Sequence, residues 1–190
     1  MYKTSNDRRF AKNKAALRRA FLDLVTERGY QGLTVADVTR RADLNRMTFY
    51  GHYETIDDIF LEFVDDMQRE IQTRISQEEA FSVDSLFATL NELMYREIGF
   101  FRHAANAVAG PDFKTAFKNC IARLLRVEVG EMRGASERQQ AILCDQIAVC
   151  IAYSYLDWLS GEYGDAPLDE VIAVTKSLLA DHLPLVSYAG

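Results

Sequence analysis

The chain has 190 residues, of which 48% are hydrophobic and 26% are charged, and its formal net charge is −6. This length can bury the core of one large domain or of two small ones. No run of 18 or more apolar residues is present and residues 1–10 are polar and charged, so we expect neither a membrane span nor a signal peptide. Cys120, Cys144 and Cys150 lack paired spacing, which favours reduced thiols in a cytoplasmic protein over a disulfide or a zinc site.

The first predicted helix covers residues 8–28 and follows a loose leader over residues 1–7. Its buried stripe includes Leu17, Phe21 and Leu24, which recur at helical spacing. Basic residues crowd the start of this helix, where the helix dipole disfavours cations. An anionic partner would compensate for that placement, and nucleic-acid phosphate is a candidate. The side chains proposed for such backbone contacts are Arg8, Arg9 and Lys12.

Residues 34–53 form a pattern typical of two short helices joined by a tight turn. Thr34, followed three residues later by Asp37, is a capping signal that starts the first helix. Asp43 occupies the turn, where a left-handed backbone is needed and where Asp is tolerated better than most residues. Asn45 is a good N-cap, so the second helix is predicted to begin directly after it.

The second of these helices is too short to be stable alone, so the rest of the domain must hold it in place. Phe49 and Tyr53 lie four residues apart and are the predicted inward anchors. The side chains on the opposite side are of the kinds that reach the phosphates and base edges of DNA. They are Arg46, Met47, Thr48 and Tyr50.

The distribution of charge supports a nucleic-acid partner although the net charge does not. Residues 1–53 carry 11 Lys and Arg against 5 Asp and Glu, a balance of +6, whereas residues 54–190 carry 11 against 23, a balance of −12. A cationic head on an acidic body is the pattern expected of a module that meets phosphates at one end. A merely solvated helix face is the alternative for the basic cluster taken by itself.

Residues 42–53, ADLNRMTFYGHY, resemble the helix-turn-helix of the TetR (tetracycline-repressor-like) family of bacterial transcriptional regulators. The sequence departs from the family pattern at Asp43, where Gly is usual, and at Ile56, where a basic residue is common. The resemblance implies that Thr34, Tyr50 and His52 contact DNA phosphates. Asn45 is placed on the same DNA-binding surface, and the candidates for base edges are Arg46, Met47 and Thr48. Which base each of them reads is left open.

The remaining chain is predicted to be helical throughout. A long helix over about residues 55–76 opens with Thr55 and Asp58 as a second capping box, and further helices cover about residues 83–98, 99–107, 111–131, 136–160 and 167–183. The predicted fold is all-α. An N-terminal three-helix DNA-binding domain (residues 1–55, with the helix-turn-helix at 34–53) is linked by the long helix to a C-terminal helical ligand-binding and dimerisation domain (residues 56–190).

Residues 147–159 are apolar on nearly every side of their helix, so every side must be covered. Packing one side on the chain's own core and the other on a second copy would cover both, and the last helix has a similarly wide apolar face. The alternative is that both helices form the centre of a monomeric domain. The residues expected at a two-fold interface are Ile151, Tyr155, Leu159, Ile172, Thr175 and Leu179.

The resemblance also implies a small effector bound in the C-terminal domain. Aromatic side chains with polar groups could line its pocket, although each taken singly is better explained as a core residue. The residues proposed for this pocket are Tyr95, Phe101, His103, Tyr153 and Trp158.

The sequence therefore predicts a homodimeric regulator of transcription that binds double-stranded DNA at a palindromic operator. The simplest form is a repressor whose operator affinity is modulated by a small effector. The alternatives are a helical protein-interaction module and a regulator without a ligand pocket. No nucleophile, metal or phosphate-loop motif is present, so we expect neither an enzyme nor a bound cofactor or metal.

Overall fold

A computed structural model describes residues 5–77, 81–107, 111–128 and 135–180. Within these ranges the chain is helical and contains no strand, which confirms the all-α prediction. The helices are α1 (Ser5–Arg28), α2 (Val35–Arg41), α3 (Arg46–Tyr50), α4 (Ile56–Ile75), α5 (Val83–Arg96), α6 (Ile98–Asn106), α7 (Phe113–Glu128), α8 (Glu137–Ser160) and α9 (Leu168–Ala180).

The helix boundaries follow the sequence signals with small differences. α1 begins at Ser5, inside the predicted leader, and residues 1–4 lie outside the described part. α7 begins at Phe113, because Asp112 caps it by accepting a hydrogen bond from the Thr115 amide at 3.0 Å. The predicted ends of the seventh and ninth helices, at residues 129–131 and 181–183, also lie outside the described residues.

The chain divides into two compact units, and the division does not follow the predicted boundary at residue 55. The first unit comprises Met1–Asp65 and Glu97–Pro111, and the second comprises Asp66–Arg96 and Asp112–Gly190. Helix α4 therefore contributes its first half to one unit and its second half to the other. Helix α6, which was predicted to belong to the C-terminal domain, belongs to the first unit.

Aromatic packing explains why α6 joins the first unit. Phe100 is fully buried, and its ring lies 6.2 Å from that of Phe21 on α1 and 4.7 Å from that of Phe63 on α4. Gly99 lies against Thr26, where an added Cβ would come within 2.3 Å of the threonine methyl. His103 forms a 3.1 Å hydrogen bond with the Thr26 carbonyl oxygen. The first unit is thus built from α1, α2, α3, the start of α4 and α6.

The second unit is centred on α8, which packs against α7 and α9. Tyr155 of α8 is fully buried and donates a hydrogen bond to the Asn91 side-chain oxygen at 2.6 Å. On the α9 side, the Thr175 hydroxyl donates to the Ser154 hydroxyl at 2.8 Å. These buried polar groups satisfy one another, so they fix how α5, α8 and α9 pack.

Among the described residues, one helix, α8, is long and apolar enough to cross a membrane. The mean hydropathy of its most apolar window is 1.3. Its start is capped by Ser136, which accepts a hydrogen bond from the Gln139 amide, and Gly161 ends it with a left-handed backbone. Nine of its residues, from Cys144 to Leu159, are buried within the second unit. It is a core helix of that unit.

The six residues expected at a two-fold interface are buried inside the single chain. Their exposed fractions lie between 0% and 5%, so they pack on their own unit and offer no surface to a second copy. The apolar side chains that α8 and α9 expose lie on a different face of each helix. They are Ile142, Val149, Tyr153, Val174 and Leu178.

Candidate nucleic-acid interface

Helix α2 begins with the capping box that the sequence predicts. The Asp37 amide donates to the Thr34 hydroxyl oxygen, and the Asp37 carboxylate accepts from the Thr34 hydroxyl at 2.6 Å and from the Thr34 amide at 3.1 Å. Arg28, the last residue of α1, forms an ion pair with the same carboxylate at 2.9 Å. The hydrogen bond from Thr34, followed by that from Arg28, lowers the pKa of Asp37 to about 2. The carboxylate therefore stays charged and ties the start of α2 to the end of α1.

The turn between α2 and α3 also has the predicted geometry. Asp43 has a φ of +53°, which is left-handed, so this aspartate does take the conformation that glycine usually supplies. Asn45 then caps α3, and its side-chain oxygen accepts a hydrogen bond from the Thr48 amide at 2.7 Å. Helix α3, only five residues long, thus has a fixed starting point.

The two sides of α3 differ sharply in exposure. Phe49 is fully buried and Tyr53, just beyond the helix, is 5% exposed, whereas Met47 is 83% and Tyr50 59% exposed. Arg46 is also exposed. Helix α3 is therefore anchored by one aromatic side chain and presents Arg46, Met47 and Tyr50 outward.

Several arginines of the first unit are already paired with acidic groups. Arg41 makes a two-pronged contact with Glu27 at 2.6 and 2.7 Å, and Arg28 and Arg40 both pair with Asp37. In contrast, Arg46 makes no ion pair or hydrogen bond with any residue that the structure describes. Its charge is consequently available to a partner outside the chain.

Thr48 differs from the other base-edge candidates. It is half-buried, and its hydroxyl donates to the Asn45 side-chain oxygen at 3.0 Å, so this hydroxyl is used within the cap. The hydroxyl of Thr34 is likewise used within its capping box. Arg8, Arg9 and Lys12 are exposed on the first turns of α1.

His52 lies in a partly apolar environment that the sequence did not indicate. Its ring centroid is 4.0 Å from that of Phe10 on α1, and its Nδ1 atom is buried without a hydrogen-bond partner among the described residues. Burial, followed by the nearby charge of Lys14, lowers the pKa of His52, and Glu62 acts in the opposite direction. Lys14 itself pairs with Glu62 at 2.9 Å. The neutral form of the His52 ring is therefore favoured beside α3.

Comparison with known proteins identifies this arrangement. Residues 17–63, which run from the middle of α1 into α4, match the model of the tetR family of bacterial regulatory proteins. This part of the chain is therefore similar to the DNA-binding region of the tetR family. Because proteins of this family are regulators of transcription, the expectation that the chain is not an enzyme agrees with the match.

One curated relative is similar to this chain over a short stretch. It is the uncharacterized HTH-type transcriptional regulator YxbF of Bacillus subtilis (strain 168), which is 41% identical over 54 residues. That stretch is 28% of this chain and only 14% of the relative's length. The likeness therefore covers only a short part of either protein.

Solved structures extend the likeness in fold to nearly the whole chain. A TetR transcriptional regulator from Streptococcus agalactiae 2603V superposes with a TM-score of 0.68 at 18% identity, covering 92% of this chain and 97% of its own. Thermus thermophilus FadR, a TetR-family transcriptional repressor solved with lauroyl-CoA, gives a TM-score of 0.57 at 22% identity, covering 88% and 93%. The second unit thus has the helical fold found in tetR-family regulators.

The structure does not bring together the five residues proposed for an effector pocket. Phe101 is buried in the aromatic cluster of the first unit, and His103 is bound there to the Thr26 carbonyl. The other three belong to the second unit. Tyr95 packs edge-on against Trp158 with ring centroids 6.1 Å apart, and Tyr153 lines a separate groove between α8 and α9.

The lowered pKa of His52 makes stability depend on pH in a defined direction. As the pH falls through 6.5, the unfolded chain takes up a proton at His52 before the folded chain does, so the free energy of unfolding falls. We expect wild type to lose more stability between pH 7 and pH 5 than His52→Gln, measured by chemical denaturation. Equal pH dependence in the two proteins would contradict the lowered pKa of His52.

Proposed function

We propose that the protein is a cytoplasmic, homodimeric regulator of transcription that binds a palindromic operator, most simply as a repressor. The observation that carries this proposal is the outward side of α3, where Arg46, Met47 and Tyr50 are exposed and a buried Phe49 fixes the helix. A rigid helix with an unpaired arginine and exposed contact groups fits a DNA major groove. The positive balance of residues 1–53 supplies the attraction for phosphate.

Dimerisation follows from the small size of this reading surface. One five-residue helix contacts a few base pairs, each good contact being worth about 1–3 kcal/mol, which is too little to select one genomic site. A two-fold dimer would place two copies of α3 in successive major grooves, about 34–36 Å apart or a multiple of that distance. The operator would then be palindromic.

The exposed side of α8 and α9 is the surface proposed for the second copy. A groove of about 460 Å³ runs between these helices, and its rim includes Tyr153, Val174 and Leu178, which are 46%, 67% and 60% exposed. Val149 extends the same side of α8, one turn before Tyr153. We therefore propose this exposed face for the two-fold interface, in place of the six buried residues that periodicity indicates.

A charged substitution in this groove tests the dimer. In a two-fold interface, Val174→Glu together with Leu178→Glu would bury unpaired carboxylates, so dimerisation should weaken at least about a hundredfold. Sedimentation equilibrium would measure the change. Val127→Glu, which alters an equally exposed apolar residue on α7, is the matched control and should stay dimeric. A wild-type monomer, or a double variant as dimeric as wild type, would contradict this interface.

Two substitutions on α3 separate base reading from backbone binding. Arg46→Ala should relax the preference at one position of each half-site, whereas Tyr50→Ala should weaken binding to all sequences about equally. Selection of bound sequences from random duplex DNA measures both effects. Identical sequence profiles for the two variants would refute this division of roles.

We also propose that a small effector binds the second unit and shifts operator affinity. Support comes from the fold shared with FadR, which was solved with lauroyl-CoA. An effector changes the affinity only by the difference between its binding to the operator-bound and free states. Tyr95 and Trp158, which pack on each other, remain the residues proposed to contact it. Tyr153 lies in the separate groove proposed for the second copy, and the packing of Phe101 and His103 within the first unit argues against a role for these two.

A further inference from the structure

Met47 is the most exposed large apolar side chain in the described part of the chain, at 83%. A single exposed apolar residue is ordinary on a protein surface, so exposure alone carries no function. Its position is less ordinary. It lies directly after the unpaired Arg46, and Tyr50 follows three residues later on the same side of α3.

The structure reduces the three base-edge candidates of α3 to two. Thr48 is half-buried, and its hydroxyl is used in the hydrogen bond to Asn45. Arg46 and Met47 are exposed, and the side chain of neither makes a hydrogen bond or ion pair with a described residue. Arg46 is a donor of hydrogen bonds, whereas the thioether of Met47 is at most a weak acceptor. The two side chains must therefore recognise different features of a base pair.

The edges of the four base pairs in the major groove offer one apolar group, the C5-methyl of thymine. A long, unbranched and polarisable methionine adapts its shape to such a group better than a stiff side chain would. We propose that Met47 is a specificity-determining residue that contacts a thymine methyl group in each half of the operator. This inference rests on the proposed function, since it assumes that α3 enters a major groove.

Deoxyuridine differs from thymidine by that methyl group alone and keeps every hydrogen-bonding group of the base. Once an operator has been selected from random duplexes, each thymine is replaced in turn by deoxyuridine and the dissociation constant is measured. For wild type we expect one position per half-site where the replacement weakens binding about fourfold, the effect of burying one methyl group, and about sixteenfold when both half-sites are replaced.

Variants of Met47 assign the effect to this side chain. Met47→Ala should bind the thymine and deoxyuridine operators equally at that position, and Met47→Leu, which keeps an apolar contact, should retain most of the difference. Arg46→Ala should bind more weakly while keeping the full difference between the two operators. Circular dichroism and thermal unfolding should be unchanged in all three, because both side chains are exposed.

The possible results distinguish this inference from the proposed function. A selected operator in which no thymine methyl matters, or a methyl effect that persists in Met47→Ala, would overturn the role of Met47 and leave sequence-specific binding intact. Selection that enriches no sequence would overturn both.

Discussion

Replacing Phe49 by Ala is expected to destabilise the first unit by about 3–5 kcal/mol, the usual cost of truncating a buried phenylalanine, and to abolish operator binding. Phe49 is fully buried, and its ring lies 5.9 Å from that of Tyr53 and 5.5 Å from that of Tyr50. It is also the one buried side chain of α3. A helix of five residues has too few internal hydrogen bonds to persist once that anchor is lost.

Chemical denaturation and binding to the selected operator would measure the two effects of Phe49→Ala. The control is Tyr50→Ala, which changes the neighbouring aromatic residue on the exposed side. That variant should lose affinity while its free energy of unfolding stays within about 1 kcal/mol of wild type, as is usual for surface substitutions. If Phe49→Ala kept both wild-type stability and wild-type affinity, α3 would not be held by this side chain.

Phe100→Ala is expected to have an effect of similar size, about 3–5 kcal/mol, and to weaken DNA binding although Phe100 lies far along the chain from the helix-turn-helix. The reason is that Phe100 fills the space between α1 and α4 in the first unit, with its ring 6.2 Å from Phe21 and 6.0 Å from Phe60. Removing it leaves a cavity under α1.

Hydrogen exchange can show where the effect of Phe100→Ala falls. Protection should decrease mainly in α1 and the first half of α4, and less in α7 and α8 of the second unit. Tyr95→Ala, which truncates a half-exposed aromatic residue of α5, is the matched control and should leave α1 protected. Loss of protection confined to the second unit would contradict the placement of α6.

Local signals made the helix-turn-helix predictable. The capping box at Thr34, the left-handed Asp43 and the Asn45 cap depend on interactions within four residues, and the structure confirms all three. The inward orientation of Phe49 follows from helical periodicity in the same way. Such features need no knowledge of what the rest of the chain does.

Features set by packing between distant segments were not predictable from the sequence. α6 carries aromatic residues that suit either unit, and only the structure shows that Phe100 and Phe101 pack with Phe63. In α8 nearly every side is apolar, so periodicity could not separate the buried stripe containing Tyr155 from the exposed one containing Tyr153. A shift of two residues along a helix exchanges one face for the other.

The grouping of the pocket residues and the environment of His52 could not be predicted for the same reason: both depend on contacts between residues far apart in the chain. The contact between Phe10 and His52 joins residues 42 positions apart, and no local pattern indicates it. The aromatic residues proposed for one pocket were grouped by type, although they belong to different units. Shared chemistry alone does not place side chains together.

We propose above that α3 reads DNA together with the α3 of a second, two-fold-related copy. The most direct measurement is the selection of bound sequences from random duplex DNA by the wild-type protein at low ionic strength. The mass of the protein–DNA complex and the salt dependence of its affinity are then measured. We predict an enriched palindrome whose half-sites lie about 34–36 Å apart or a multiple of that distance, bound by an even number of chains, with affinity that falls steeply as salt rises. A monomer that enriches no sequence at low salt would contradict it.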